Sequence, residues 1–240
     1  MLYKKYFLLL LTTFLLSQNI WMGNSVATSD NLDVFSLNPA GFGVSRGTQQ
    51  GLFIPLEEND SKASIYSSNR YSNFGYSLHH RSGDSWYHLT GVKIGFGMPL
   101  GKKNYLGMMW VKTKASPVSQ YSIKLGTIMR PWNFLSIGAT ATMQADSDEF
   151  STYRAGIAVR PFNCNRFTIG VDYFVNNEFD NIKSLHPFAN LKIVDGVNLS
   201  FTSLMNYENE KYESSAYQLN LGMNLSKIGV YSTQNTTLAN

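Results

Sequence analysis

The sequence predicts an all-β protein, an antiparallel up-and-down transmembrane β-barrel of about 12 strands (10–14) with a short N-terminal periplasmic segment. Three observations predict it. Apolar and small or polar residues alternate with a period of two in one segment after another, the first residues read as an export leader, and the connections between segments fall into two alternating chemical kinds. Leu135, Ile137, Ala139, Ala141 and Met143 face one side of a strand, and Ser136, Gly138, Thr140, Thr142 and Gln144 face the other. Phe167 to Val175 and Tyr217 to Leu225 repeat the pattern.

Lys4 and Lys5 make a basic start, Phe7 to Leu16 an apolar core, and Ser25-Val26-Ala27 a small-residue site suited to cleavage after Ala27. Residues 1–27 therefore read as a signal peptide, the alternative being an uncleaved anchor. The core is shorter than the roughly 20 apolar residues a permanent helical span needs. No Cys lies near the cleavage region to carry a lipid, and Cys164 stands alone, which rules out an intramolecular disulfide and thiolate metal sites.

Beyond Ala27 no apolar run is long enough for a transmembrane helix, so a membrane location requires a closed sheet. A mean hydropathy of -0.17 is compatible with strands that turn only one face to lipid. Aromatic residues make up 14% of the chain, enough for girdles at two interfaces, although a soluble β-sandwich would carry as many. Strands are expected at 48–56, 62–68, 73–80, 86–99, 105–113, 120–129, 134–144, 152–159, 167–175, 185–194, 199–206 and 216–225, with a thirteenth candidate at 228–234. The barrel then covers 48–234, followed by a polar tail at 235–240.

One set of connections is acidic: Glu57-Glu58-Asn59-Asp60, Ser82-Gly83-Asp84, Asp146-Ser147-Asp148-Glu149, Asn176 to Asp180, and Glu208 on to Glu213. Apart from Asp30, Asp33, Asp172 and Asp195, every carboxylate of the chain lies in these loops. The other set is compact and mostly basic: Asn69-Arg70, Gly101-Lys102-Lys103-Asn104, Arg130-Pro131-Trp132-Asn133, Arg160-Pro161-Phe162-Asn163 and Asp195-Gly196-Val197-Asn198. Alternate connections belong to opposite ends of an up-and-down barrel, the tight basic turns to the periplasmic end and the acidic loops to the outside. Arg130-Pro131-Trp132-Asn133 is echoed one hairpin later by Arg160-Pro161-Phe162-Asn163. Proline lacks an N–H for the ladder, so Pro55, Pro99, Pro131, Pro161 and Pro187 are expected at strand ends.

Residues 28–47 precede the first strand and close on Asn38-Pro39-Ala40-Gly41, a turn in which Pro39 sets one φ and Gly41 permits a positive one. An acidic run ending in Asn-Pro-Ala-Gly after a leader resembles the start of the fatty-acid-transporter (FadL) type of outer-membrane barrel and of its relatives in type IX secretion (PorV). The Arg-Pro-x-Asn turns leading into Leu-Ser-Ile-Gly are similar to that group's strand starts, and a related barrel is found fused to signal-peptide-peptidase-like proteins. The resemblance implies a plug-like segment that tucks into or under the barrel, and transport of a hydrophobic substrate.

On the inward faces stand Gly95, Gly97, Gly126, Gly138, Gly156, Ala158, Gly170 and Gly222, together with Lys93, Lys124, Arg154 and Asp172 as candidate lumen-lining residues. Arg154 and Asp172 are expected to pair across neighbouring strands, as a pore-lining pair or as a structural ion pair in a plugged barrel. His79 and His80 are adjacent on a strand and point to opposite faces, which spoils joint coordination with Asp84 and His88. No phosphate loop, dinucleotide fingerprint, nucleophile elbow or zinc helix motif occurs, so neither an enzyme nor a cofactor is expected. The net charge of +4 is dispersed and does not point to nucleic acid. The expected partners are outer-membrane lipid, the barrel-assembly machinery and a small hydrophobic ligand. The expected function is passive transport or binding of such molecules, the alternative a structural or assembly barrel that anchors a partner or fused domain.

Overall fold

Period-two alternation becomes one antiparallel sheet of 13 strands, each hydrogen-bonded to its sequence neighbour, in the computed structural model. The structure describes residues 25–44, 47–53, 64–82, 87–115, 118–145, 150–164, 166–177, 182–208, 211–225 and 228–237. The leader's basic start and apolar core, Pro55 and the greater part of the acidic loops fall outside these residues. The strands are β1 (Thr48–Phe53), β2 (Ser64–Tyr71), β3 (Phe74–Ser82), β4 (Tyr87–Leu100), β5 (Asn104–Ala115), β6 (Val118–Trp132), β7 (Leu135–Gln144), β8 (Phe150–Val159), β9 (Phe167–Asn176), β10 (Ile182–Val194), β11 (Val197–Glu208), β12 (Lys211–Leu225) and β13 (Ile228–Thr237). The thirteenth strand is therefore present, and it takes in the first residues of the expected polar tail.

Three expectations about strand ends need correction. Asn69 and Arg70 do not form a turn: both lie within β2, and the turn is Ser72-Asn73, with Ser72 at φ 52°. Arg130, Pro131 and Trp132 belong to the end of β6, where the register with β7 shifts between Met129 and Trp132, so the missing proline N–H falls at an irregularity of the ladder. Pro187 is inside β10, which starts earlier than expected, and its side toward β11 falls in a gap of the pairing between Leu185 and Phe188.

The connections retain the alternation. The turns that follow β2, β4, β6, β8 and β10 lie at one end of the sheet, and the connections carrying the acidic segments leave from the other. Burial is inverted relative to a water-soluble sheet. On β4, Ile94, Phe96, Met98 and Leu100 are exposed whereas Gly95 and Gly97 are buried. Ile169 and Tyr173 of β9 and Leu219, Leu221 and Met223 of β12 likewise face outward, while Thr168, Asp172 and Asn220 face inward.

The sheet curls around the chain that precedes it. Asn31 accepts from Gln49 Nε2 of β1 at 3.0 Å, and Ser25 Oγ donates to Asp172 Oδ1 of β9 at 2.5 Å. In a flat sheet β1 and β9 would lie about 38 Å apart. The backbone from Ser25 to Asn31 spans about 22 Å at most, so both bonds form only on the concave side of a curved sheet. Among the described residues no pairing joins β1 to β13.

Candidate functional site: the plugged interior

Residues 25–44 form a compact plug on the inner face, at the end of the sheet that carries the tight turns. Two short 3-10 helices, Leu32–Phe35 and Pro39–Gly43, shape it. Leu32, Val34, Phe35 and Phe42 pack with Met109 of β5 into the apolar centre, where the Phe35 and Phe42 rings meet edge to face at 5.2 Å. Ala27 packs with Ala158 of β8 and Phe188 of β10.

The Asn-Pro-Ala-Gly motif is the seam between plug and wall. Asn38 caps the second helix by accepting from Ala40 N at 3.0 Å, and Pro39 occupies the position where a helix does not need an N–H. The Asn38 amide donates to Val26 O at 2.8 Å and to Thr127 O of β6 at 2.9 Å, tying plug to plug and plug to sheet with one carboxamide. This approach needs a wall without side chains. Gly97, Gly107 and Gly126 are direct neighbours across β4, β5 and β6, and a Cβ at Gly126 would collide with Asn38 Oδ1. Gly95, Gly97, Gly107, Gly126 and Gly138 are thus the seat of the plug rather than open space in a pore.

Three of the four candidate lumen-lining residues, Lys93, Lys124 and Asp172, bond to the plug, and the fourth, Arg154, pairs with Asp172. Lys93 Nζ donates to Phe35 O at 3.0 Å and Lys124 Nζ to Ser36 O at 2.7 Å, where the first 3-10 helix ends with unpaired carbonyls. Arg154 Nε donates to Asp172 Oδ2 at 2.8 Å across β8 and β9. Asp172, fully buried, also accepts from Ser25 Oγ and, at 2.9 Å, from Val26 N. A carboxylate with an ion-pair partner and two further donors is well compensated for its burial. It reaches its partners over Gly156, the cross-strand neighbour whose Cβ would occupy the carboxylate's place.

No family model, curated protein or solved structure matches the chain. Sequence reading missed Arg70, the largest fully buried side chain among the described residues. Its guanidinium donates to Asp30 O, to Gly41 O at 2.9 Å, to Phe42 O at 3.5 Å and to Val44 O, gathering four carbonyls of the plug, and its Nε donates to Ser72 O at 3.1 Å. The planar fork suits several carbonyls at once. Asp30 completes the clamp by accepting from Arg130 Nη2 of β6. A signal was present: Asp30, Asp33 and Asp172, three of the few carboxylates outside the loops, are all buried at this seam. His79 stacks flat on Tyr66 at 4.0 Å and shares a hydrogen bond with Thr90.

Proposed function

We propose that the chain is an outer-membrane β-barrel of the FadL and PorV type, closed at its periplasmic end by its own N-terminal plug, which binds or passively passes small hydrophobic molecules. The observation that carries this reading is the inverted burial: an apolar outer face over a small and polar inner face. In water this arrangement would expose a large continuous greasy surface, but against lipid tails it costs nothing. Two aromatic rims support it. Tyr71, Phe74, Trp132, Phe134 and Phe162 are exposed near the tight turns, and Trp110, Tyr121, Tyr153, Tyr173, Tyr207 and Tyr212 toward the acidic loops. On β6 the distance from Tyr121 to Trp132 is about 36 Å along the strand. At the tilt of about 40° usual for such barrels this becomes about 28 Å, close to their apolar band of roughly 25 Å.

The plug itself favours a second reading, a structural or assembly barrel that anchors a partner or fused domain. Arg70, Asn38 and Asp172 hold the plug through buried bonds, an arrangement suited to a closed lumen. Outer-membrane fractions run on a denaturing gel with and without boiling test the barrel: a heat-modifiable band is expected, and soluble material without that shift would refute it. Planar-bilayer conductance and mass spectrometry of co-purified lipid then separate the two functions. Conductance or a stoichiometric bound lipid supports transport; a silent, lipid-free barrel supports the structural role.

A further inference from the structure

The triplet Ser25-Val26-Ala27 looks like the end of an export leader in the sequence, yet in the structure it is fully buried in the plug. All three residues are 0% exposed. Ser25 Oγ and Val26 N supply two of the donors on buried Asp172, and Ser25 Oγ also accepts from Ala27 N at 3.0 Å. Val26 O accepts the Asn38 amide, and Ala27 O accepts from Ser136 Oγ of β7 at 2.5 Å. The wall is shaped to this triplet: a Cβ at Gly138 would strike Val26 O and Ala27 Cα, and one at Gly156 would press on Val26 Cγ1's sister methyl, Cγ2. Ala27 fills the space between Ala158 and Phe188.

Cleavage after Ala27 would empty this niche. Asp172 would lose two donors, Asn38 an acceptor and Ser136 its partner, all away from water. Each stranded buried group is costly, and of the three partners described Asp172 would be left with Arg154. Smallness at Ser25 and Ala27 has a second sufficient cause, the close fit against a glycine wall, so it does not by itself mark a processing point.

We infer that the export leader is removed upstream of Ser25, so that Ser25-Val26-Ala27 stays in the mature protein as the anchor of the plug on Asp172. The step is hydrolysis of one peptide bond by the envelope's signal peptidase. Water supplies the hydroxyl of the leader's new carboxylate and a proton to the new α-amine of the plug. A leader ending before Ser25 keeps within the roughly 15–30 residues such peptides span. The inference rests on the outer-membrane reading above.

Intact-mass and N-terminal sequencing of the full chain, expressed with its own leader and recovered from the outer-membrane fraction, tests it. The expected first residue is Ser25 or one upstream of it, with the Met1 end lost. A first residue beyond Ser25, Thr28 above all, overturns the inference, as does an outer-membrane form that retains Met1. Absence of the chain from the outer membrane would instead sink the membrane reading, and the inference with it.

Discussion

Replacing Gly126 with alanine should destabilise the protein, against the ordinary rule. Alanine in a strand interior is normally better than glycine by roughly 0.5–1 kcal/mol. Here the new methyl would fall on Asn38 Oδ1 and force the carboxamide away. The bonds at stake are those to Val26 O, Thr127 O and Ala40 N, at 2.8, 2.9 and 3.0 Å. At a net value near 1 kcal/mol each, their loss is worth about 3 kcal/mol, or on the order of 150-fold in the equilibrium between docked and released plug. Asn38→Ala removes the same bonds and should cost about as much. In the Asn38→Ala background the nearest atom to the new Gly126→Ala methyl is Pro39 Cδ at 2.9 Å, and its further cost should fall to about 1 kcal/mol, a coupling of about 2 kcal/mol. Urea unfolding of the four proteins in one lipid, with protease digestion of the plug as second readout, closes the cycle. Additive losses, or a stabilising Gly126→Ala, would refute the claim that this glycine exists to admit Asn38.

Leu125→Arg, on the outward face in the middle of β6, should cost about 2–4 kcal/mol in a bilayer; an effect within about 0.5 kcal/mol, as on a watered surface, would argue against lipid contact. Arg70→Met should strand the carbonyls of Asp30, Gly41 and Val44, a loss of at least about 3 kcal/mol. It should open residues 25–44 to protease, and Arg70→Lys should rescue little because an ammonium lacks the fork. In the turn after β10, the hydrogen bond and charge of Lys192 hold the exposed Asp195 carboxyl below its ordinary range. The interaction is therefore complete above the ordinary carboxylate pKa and lost as pH falls through the lowered one. Carboxyl NMR should show the depressed titration, and Lys192→Met should move it back up.

Much of the fold was legible because a sheet's period is short and repeated. The alternation along β7, β9 and β12 located strands and faces together, and the contrast between acidic and basic connections sorted the ends without any knowledge of pairing. Strand ends were harder. Pro131 and Pro187 read as terminators, but a ladder tolerates proline where its register shifts or leaves a gap, and such irregularities depend on the partner strand rather than on local sequence. The site was half legible. Asn38 to Gly41, and Arg154 with Asp172, stood out through turn chemistry and through charge on an inward face. Arg70 did not, because what singles it out is a set of carbonyls far along the chain. Ser25 to Ala27 carry two readings at once, since small residues satisfy a peptidase and a glycine wall alike.

The plug is the first part of the described chain to be made, yet it cannot be finished until β9 is in place. Its bond from Ser25 to Asp172 closes a separation of 147 residues, so the niche does not exist until β8 and β9 stand side by side. Contacts of such range are slow to form because the chain between them must be ordered first. Assembly should therefore proceed by strands added around an N-terminal segment that waits, loosely held, inside the growing curve. Final locking on Asp172 then reports that the wall has been built as far as β9.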